Sequence, residues 1–311
     1  MKKLSVIVPA YNEEESVEIF IEEFLKQTSQ LPLEKNFYFI NDGSTDNTLQ
    51  IIKKLSAKYN YVNYISFSRN FGKEAALLAG LKSCDGDYVT VMDVDLQDPP
   101  EMLNEMYKKI VEGYDVVGTR RVNRDGEPII RSIFARMFYK LINRISSTEM
   151  VDGARDFRLM TRQVVDNLLL LQENNRFSKG LFSWVGFNVT YLEYKNRERV
   201  AGETSWSFLK LFRYSVDGIV NFSEVPLSIA TYIGLFSFLG SIILSIFFGV
   251  KTVVFGDSVQ GFPTLVILLL LLGGLQLLSL GIIGKYIAKI FLETKKRPNY
   301  IIKESNIKNL F

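Results

Sequence analysis

Two long stretches without a charged residue constrain this chain more than any other feature of its sequence. They cover residues 225–250 and 258–284 of the 311. Each is longer than the ~20 apolar residues that a helix needs to cross ~30 Å of hydrocarbon. A buried core helix is the alternative, but helices of globular proteins average about 10–14 residues. We therefore predict a hairpin of two transmembrane helices within residues 225–297.

Positive charge beside these stretches predicts the orientation of the hairpin. The linker between them is short and nearly neutral, and the flanking basic residues are Lys210, Arg213, Lys285, Lys289, Lys295, Lys296 and Arg297. The positive-inside rule then places both ends of the chain in the cytoplasm of a cell membrane. Residues 206–224 are predicted to form an interfacial amphipathic helix, with an ordinary surface helix as the alternative. Residues 298–311 are predicted to be a cytoplasmic tail.

Residues 1–205 are predicted to form a cytoplasmic α/β domain, because apolar runs alternate with helical patterns. The predicted strands are 4–9, 37–40, 62–67, 88–92 and 115–119, and the helices between them are 13–26, 46–58, 73–82 and 100–112. Such alternation predicts a mostly parallel, Rossmann-like sheet covered by helices on both faces. Ligands bind such sheets at the carboxyl ends of the strands.

The composition excludes several kinds of chemistry. The chain has no histidine and a single cysteine, Cys84, which excludes histidine-based triads and a disulfide framework. The net charge of +3 argues against a general nucleic-acid binder. Neither GxGxxG after the first strand nor GxxxxGK[ST] is present, so a dinucleotide fold and a P-loop are unsupported.

The carboxylates of the segment VMDVDLQDPPE indicate a metal site. Asp93 and Asp95 stand at alternate positions where the fourth predicted strand ends, and their charges would repel without a cation. Carboxylate oxygens and the amide oxygen of Gln97 suit Mg²⁺ or Mn²⁺ rather than zinc. Mg²⁺ usually completes its shell with substrate phosphate, so we predict a diphosphate substrate. Helix capping, as by Asp46 and Asp98, is the alternative for each such loop taken singly.

Six motifs, read in order, resemble the family 2 glycosyltransferases of the GT-A fold. They are VIVPAYNEEE, NDGSTDNT, NFGKEAA, DVDLQDPPE, GTRR and RVAGET, and the two predicted spans follow. Within this family the chain is similar to the bacterial polyprenyl-phosphate glycosyltransferases, relatives of dolichol-phosphate mannose synthase. The resemblance implies inverting transfer of one sugar from a nucleoside diphosphate sugar to undecaprenyl or another polyprenyl phosphate. UDP is the favoured nucleotide, with glucose or N-acetylglucosamine as the favoured sugar.

The resemblance also implies a role for each residue of the site. Those implied in nucleotide binding are Pro9, Tyr11, Glu13, Asp42, Gly72, Lys73 and Asp93. Those implied in holding Mg²⁺ or Mn²⁺ are Asp93, Asp95 and Gln97. Those implied in phosphate binding are Arg120, Arg131 and Arg199, and those implied in catalysis are Asp156, Asp95 and Arg131.

Two of these residues have support from their own surroundings, and one position departs from the family pattern. Arg131 projects on the apolar side of the predicted helix PIIRSIFARMFYKLINRI, where a guanidinium needs an anion. Asp156 stands between two arginines, and capping a helix is its alternative role. Ser205 occupies a place where relatives often have lysine, so Lys210 or Arg213 would have to replace that phosphate contact.

Two other functions remain open at this point. A processive polysaccharide synthase of the same fold usually needs more spans and a Gln-x-x-Arg-Trp motif, and QENNRF lacks both the spacing and the tryptophan. A membrane scaffold with an inactive nucleotide-binding domain would not need intact carboxylates such as Asp93, Asp95 and Asp156. A lipid product made in the cytoplasm would need a small flippase as partner. Small residues in the spans also allow a homo-oligomer.

Overall fold

The structure, a computed structural model, describes residues 1–121, 137, 139–146, 148, 151–194, 215–216, 218–255 and 261–307. Several predictions concern other residues. Arg131, Arg199 and Ser205 lie outside the described residues, as do most of the predicted interfacial helix and residues 308–311 of the tail.

The first part of the chain alternates strands with helices, as its hydrophobic pattern predicts. The strands are β1 (Lys3–Ala10), β2 (Glu34–Asn41), β3 (Val62–Phe67), β4 (Tyr88–Val91) and β5 (Val116–Arg121). The helices between them are α1 (Val17–Gln27), α2 (Thr48–Lys58), α3 (Lys73–Ser83) and α4 (Met102–Val111). Each predicted element of this part is present, with its ends displaced by a few residues.

The second part of the chain contains three strands that the sequence analysis did not predict. Its elements are β6 (Ala154–Thr161), α5 (Arg162–Leu170), α6 (Ser178–Trp184), β7 (Val189–Tyr194), α7 (Val225–Phe255), α8 (Phe262–Thr294) and β8 (Ile302–Ser305). Arg155, Asp156 and Arg158 interrupt the apolar residues of β6, which hides its strand pattern. The alternative role of Asp156 as a helix cap is wrong, because this residue lies within β6.

The described strands form one eight-stranded sheet in the order β7-β5-β6-β4-β1-β2-β3-β8. β1 pairs in parallel with β2 and β4, β2 with β3, and β5 with β7. β6 is antiparallel to both β4 and β5, and β8 is antiparallel to β3. The predicted fold class, an α/β domain with a mostly parallel sheet, is confirmed. The tail contributes an edge strand to this sheet, which its charged sequence IKES did not indicate.

The register brings the loops after several strands to one edge of the sheet. β1 and β2 end side by side, with Ala10 opposite Asn41. β6 runs against β4 and places Arg158 opposite Val91, the last residue of β4. Asp156 comes before Arg158 in an antiparallel strand, so it reaches the same edge as the loop that follows β4.

Helices pack on both faces of the sheet and fix the position of α3. One layer packs around α1, where Phe20 and Phe37 are fully buried. On the other face α3 lies close to β1, since a Cβ added at Gly80 would come within 2.3 Å of Ile7 Cγ2. This close packing holds the helix that begins at Lys73.

The two long C-terminal helices are apolar enough to cross a membrane. The apolar windows within α7 and α8 are Val225–Leu244 and Leu271–Thr294, and neither window is buried inside the protein. The helices contain 31 and 33 residues. At 1.5 Å per residue each is ~46–50 Å long, which exceeds ~30 Å of hydrocarbon. Part of each helix therefore extends beyond a bilayer core.

Candidate active site

Three charged side chains meet at the edge of the sheet where the parallel strands end. Lys73 begins α3, Asp93 follows β4 and Asp156 belongs to β6. Lys73 Nζ lies 2.7 Å from Asp93 Oδ1 and 2.7 Å from Asp156 Oδ2. The side chains of Lys73, Asp93 and Asp156 are 35%, 34% and 22% exposed, so a ligand can reach the cluster. The sequence analysis did not predict that Lys73 joins these two carboxylates.

The charges in this cluster shift each other's ionisation. Burial would lower the pKa of Lys73, but the carboxylates of Asp156 and Asp93 outweigh it and raise that pKa above its usual range. Burial would raise the pKa of Asp156, yet the cations of Lys73, Lys179 and Arg158 hold it well below its usual range. Lys73 and Asp156 are therefore both charged near neutral pH. A carboxylate so firmly ionised is a weak base, and it is better suited to stabilising positive charge.

The loop after β4 has a fixed shape. Asp95 is 7% exposed, and its Oδ1 accepts a hydrogen bond of 3.2 Å from the backbone N–H of Gln97. Leu96 between them has a φ of +54°. A branched residue rarely adopts this left-handed conformation, which costs about 1–3 kcal/mol. The surrounding contacts must therefore hold the loop in place.

Asp98 and Arg155 form a second charged pair, which joins this loop to its neighbours. Asp98 is 2% exposed, and Arg155 Nε lies 3.4 Å from its Oδ1. The Tyr194 hydroxyl also donates to Asp98, and Arg155 Nη2 donates to Gln97 Oε1 at 3.3 Å. Asp98 thus ties the loop to β6 and β7 and makes no side-chain cap for α4.

The residues of this loop fit a metal that takes few protein ligands. Among the described residues, no group of three or more His, Cys, Asp or Glu side chains is arranged to hold a metal ion. Asp93 and Asp95 offer hard oxygen donors, and Mg²⁺ or Mn²⁺ can complete its shell with phosphate and water. Gln97 Oε1 already accepts a hydrogen bond from Arg155. Its place among the metal ligands stays a prediction.

Asp42 uses a buried carboxylate to hold the loop that precedes α3. It is 4% exposed and accepts backbone hydrogen bonds from Phe71 N at 2.6 Å and Gly72 N at 2.9 Å. Burial raises the pKa of Asp42 against the opposing effect of these bonds. Gly72 has a φ of +95° and leads directly into Lys73. Asp42 and Gly72 therefore position Lys73, and their predicted contacts with a nucleotide stay predictions.

The loop after β1 is bonded to the loop after β2. Asn12 N donates to Ser44 Oγ at 3.0 Å, and Glu13 N donates to Thr48 Oγ1 at 2.8 Å. Tyr11 precedes these bonds and is 46% exposed. The two loops therefore form one surface, with a tyrosine ring available on it for a ligand.

Two predicted site residues lie within strands. Pro9 is opposite Ile40 in the parallel pair of β1 and β2. Arg120 lies near the end of β5, where its Nε donates to Asp152 O at 3.2 Å and its Nη1 is 3.9 Å from Glu193. Its side chain is 44% exposed, so its predicted contact with phosphate is sterically open.

Gly43 lets the loop after β2 approach the loop after β3. Its φ is +69°, and an added Cβ would lie 2.4 Å from Arg69 C and 2.6 Å from Asn70 N. Because these are backbone atoms, we expect Gly43→Ala to lower the free energy of unfolding by more than ~1 kcal/mol. Gly113→Ala is the matched control, since Gly113 has a φ of +106° and nothing within 4 Å of its added Cβ. Thermal unfolding measures both variants, and equal destabilisation would contradict the role of the close approach.

A family model matches most of the sheet and most of the candidate site. Residues 5–169 match the Glycosyl transferase family 2 model. This range includes β1 to β6, and with them Asp42, Lys73, Asp93 and Asp156. The chain belongs to glycosyl transferase family 2. The predictions of an enzyme, of a glycosyltransferase and of the GT-A fold are thereby confirmed.

Relatives of this glycosyltransferase match it over nearly its full length. The glycosyltransferase CsbB of Bacillus subtilis is 50% identical over 98% of this chain and 93% of its own length. The SfII prophage-derived bactoprenol glucosyl transferase of Shigella flexneri is 43% identical over 98% of both chains. The prophage bactoprenol glucosyl transferase homolog of Escherichia coli is 42% identical over 97% of this chain and 98% of its own. The similarity therefore extends past the family model and includes both apolar helices.

Proposed function

We propose that this glycosyltransferase transfers one glucose from UDP-glucose to undecaprenyl phosphate or another polyprenyl phosphate, with inversion at the anomeric carbon. The observation that carries the proposal is that one chain combines the cluster of Lys73, Asp93 and Asp156 with two apolar helices. A donor dissolved in water and an acceptor held in lipid require such a combination. The relatives named bactoprenol glucosyl transferase support a lipid acceptor and favour glucose over N-acetylglucosamine.

The donor diphosphate would bind at the sheet edge beside Lys73. Asp93 and Asp95 would hold Mg²⁺ or Mn²⁺, which when bound supplies positive charge that stabilises the departing diphosphate. Arg120, with an exposed side chain at the same edge, would contact phosphate oxygens. The surface that carries Tyr11 would hold the nucleoside. Arg131 and Arg199 are proposed as further phosphate ligands.

The transfer would be a single displacement. An anionic oxygen of the acceptor phosphate forms a bond to the anomeric carbon while the bond from that carbon to the diphosphate oxygen breaks. UDP leaves with the electron pair, and attack from the opposite face inverts the configuration. Asp156, held ionised by Lys73, would stabilise positive charge at the anomeric carbon. Most of the rate enhancement would come from holding the two phosphate groups on opposite sides of one sugar.

The two apolar helices would cross the cell membrane and keep the catalytic domain at its cytoplasmic face. Basic residues after the apolar part of α8 place that end in the cytoplasm by the positive-inside rule. The Tyr286 hydroxyl of α8 donates to Ser223 O at 2.7 Å, just before α7 begins. Ser223 Oγ in turn donates to Ile145 O at 2.8 Å. These bonds would keep the domain close to the bilayer surface, where the acceptor phosphate lies.

Transfer of radiolabel into lipid tests this proposal. Purified full-length protein would receive undecaprenyl phosphate, Mg²⁺ or Mn²⁺ and a panel of labelled UDP- and GDP-sugars. We expect label from UDP-glucose to enter the organic phase, and we expect EDTA to abolish this transfer. Asp95→Ala should lower the rate by about 10²–10³-fold, because the metal then loses a ligand and the leaving charge its stabilisation.

A matched variant and two alternative results complete the assay. Asp87→Ala, at an exposed aspartate before β4, should keep the wild-type rate. Label from UDP-N-acetylglucosamine alone would replace glucose as the assigned sugar. UDP binding that needs a metal, without transfer from any donor, would refute the assignment of a polyprenyl phosphate acceptor.

A further inference from the structure

The 171–178 segment, which joins α5 to the first residue of α6, contacts the end of the second apolar helix. Glu293 of α8 accepts hydrogen bonds at its carboxylate from Asn174 N at 2.9 Å, Asn174 Nδ2 at 3.2 Å and Asn175 N at 3.2 Å. Hydrogen bonds to an ionised acceptor are roughly twice as strong as neutral ones. One glutamate therefore fixes two consecutive residues of the segment to α8.

This contact lies on the side of the catalytic domain. Gly284 ends the uncharged stretch of α8, and Glu293 follows nine residues later in the same helix (293 − 284). Nine residues correspond to ~14 Å of helix. Glu293 is thus far enough from the uncharged stretch to lie outside the hydrocarbon, where its carboxylate can meet polar backbone groups.

The other end of the 171–178 segment contacts the first turn of α3. Ser178 N lies 3.1 Å from both carboxylate oxygens of Glu74, and the Ser178 hydroxyl also donates to Glu74. Glu74 follows directly after Lys73. The same segment therefore connects α8 to the turn that places Lys73 between two carboxylates.

The middle of the 171–178 segment is held as well. Asn175 Nδ2 donates to Asn221 Oδ1 at 2.7 Å, and Asn221 Nδ2 donates to Asn175 O at 3.0 Å. Phe177 is 3% exposed, and its ring centroid lies 5.8 Å from that of Phe222. Residues 221 and 222 come just before α7, so the segment is packed against the base of the helix pair. A displacement of that base would displace the segment with it.

We propose that Glu293 and Glu74 are positioning residues, through which the 171–178 segment passes the placement of α8 in the bilayer on to Lys73. This inference rests on the proposed function, because it requires that Lys73 acts in sugar transfer. When α8 shifts against the catalytic domain, the segment pulls on Glu74, and Lys73 loses its 2.7 Å contact with Asp93 or Asp156. Full activity then depends on a helix pair correctly placed in the membrane that contains the acceptor.

Kinetics of the full chain in lipid nanodiscs test this coupling. Glu293→Ala and Glu74→Ala are each expected to lower kcat by about 10–100-fold, with KM for UDP-glucose changed less than about threefold. The double variant is expected to be no slower than the slower single variant, since both substitutions break one connection. Glu105→Ala, at an exposed position of α4, is the matched control and should keep wild-type kinetics. Fold-changes that multiply in the double variant, or a change in KM alone, would overturn the proposal.

Amide hydrogen exchange provides a test that needs no turnover. In Glu293→Ala we expect residues 76–79 of α3 to exchange at least ~10-fold faster, and Glu293→Gln, which keeps an acceptor oxygen, to lie between this variant and wild type. Unchanged exchange in α3, with faster exchange in the 171–178 segment alone, would reject the coupling even where sugar transfer is established. Faster exchange in α3 of a protein whose wild type transfers no sugar would support the coupling and refute only the proposed function.

Discussion

Replacing Lys73 with methionine is expected to lower kcat for sugar transfer by about 10²–10³-fold. The substitution keeps most of the side-chain volume and removes the ammonium that lies 2.7 Å from both Asp93 and Asp156. The two carboxylates would then lie near each other and near the donor diphosphate without this cation between them. Initial rates of label transfer from UDP-glucose to undecaprenyl phosphate measure the effect.

A second lysine of the same helix provides the matched control for this prediction. Lys82 lies at the other end of α3 and is exposed, so Lys82→Met should change kcat by less than about twofold. Lys73→Arg keeps the charge and should recover part of the lost rate. Thermal unfolding must show that each variant is folded. A folded Lys73→Met protein with more than a tenth of the wild-type rate would contradict the role given to this ammonium.

The sequence was sufficient to locate one edge of the sheet as the site. Short apolar runs gave β1 to β4, and parallel strands joined by helices must end at the same edge. That rule brought Asp42, Lys73 and Asp93 together before any contact was known. It works because the direction of each parallel strand follows from the helix between it and the next.

The partners within the site could not be predicted in the same way. Lys73 and Asp156 are far apart in the sequence, and their contact depends on β6 running against its neighbours. No short-range pattern indicates the direction of a strand that begins with charged residues. The bond between Glu74 and Ser178 spans 104 residues, and that between Asn174 and Glu293 spans 119. Such bonds depend on how the elements pack, which the hydrophobic pattern does not specify.

Asp156→Asn is expected to lower kcat by about 10²-fold, with KM for UDP-glucose changed less than about threefold. The amide has nearly the shape of the carboxylate, but it lacks the negative charge that would stabilise the anomeric carbon in the transition state. Lys73 keeps its contact with Asp93, 2.7 Å away, so the donor site should remain assembled. Asp166→Asn, at an exposed position of α5, is the matched control and should retain wild-type kinetics.

The pH dependence of the same variant distinguishes a charge-stabilising role of Asp156 from that of a general base. The nearby cations hold the pKa of Asp156 well below its usual range, so this carboxylate stays ionised as the pH falls through that range. Any loss of rate between pH 7 and 5 should then follow the acceptor phosphate, whose second pKa is about 6. We expect that loss to have the same midpoint in the wild type and in Asp156→Asn, with only the height of the profile reduced. A midpoint that moves or disappears in the variant would show that Asp156 takes the proton from a singly protonated acceptor.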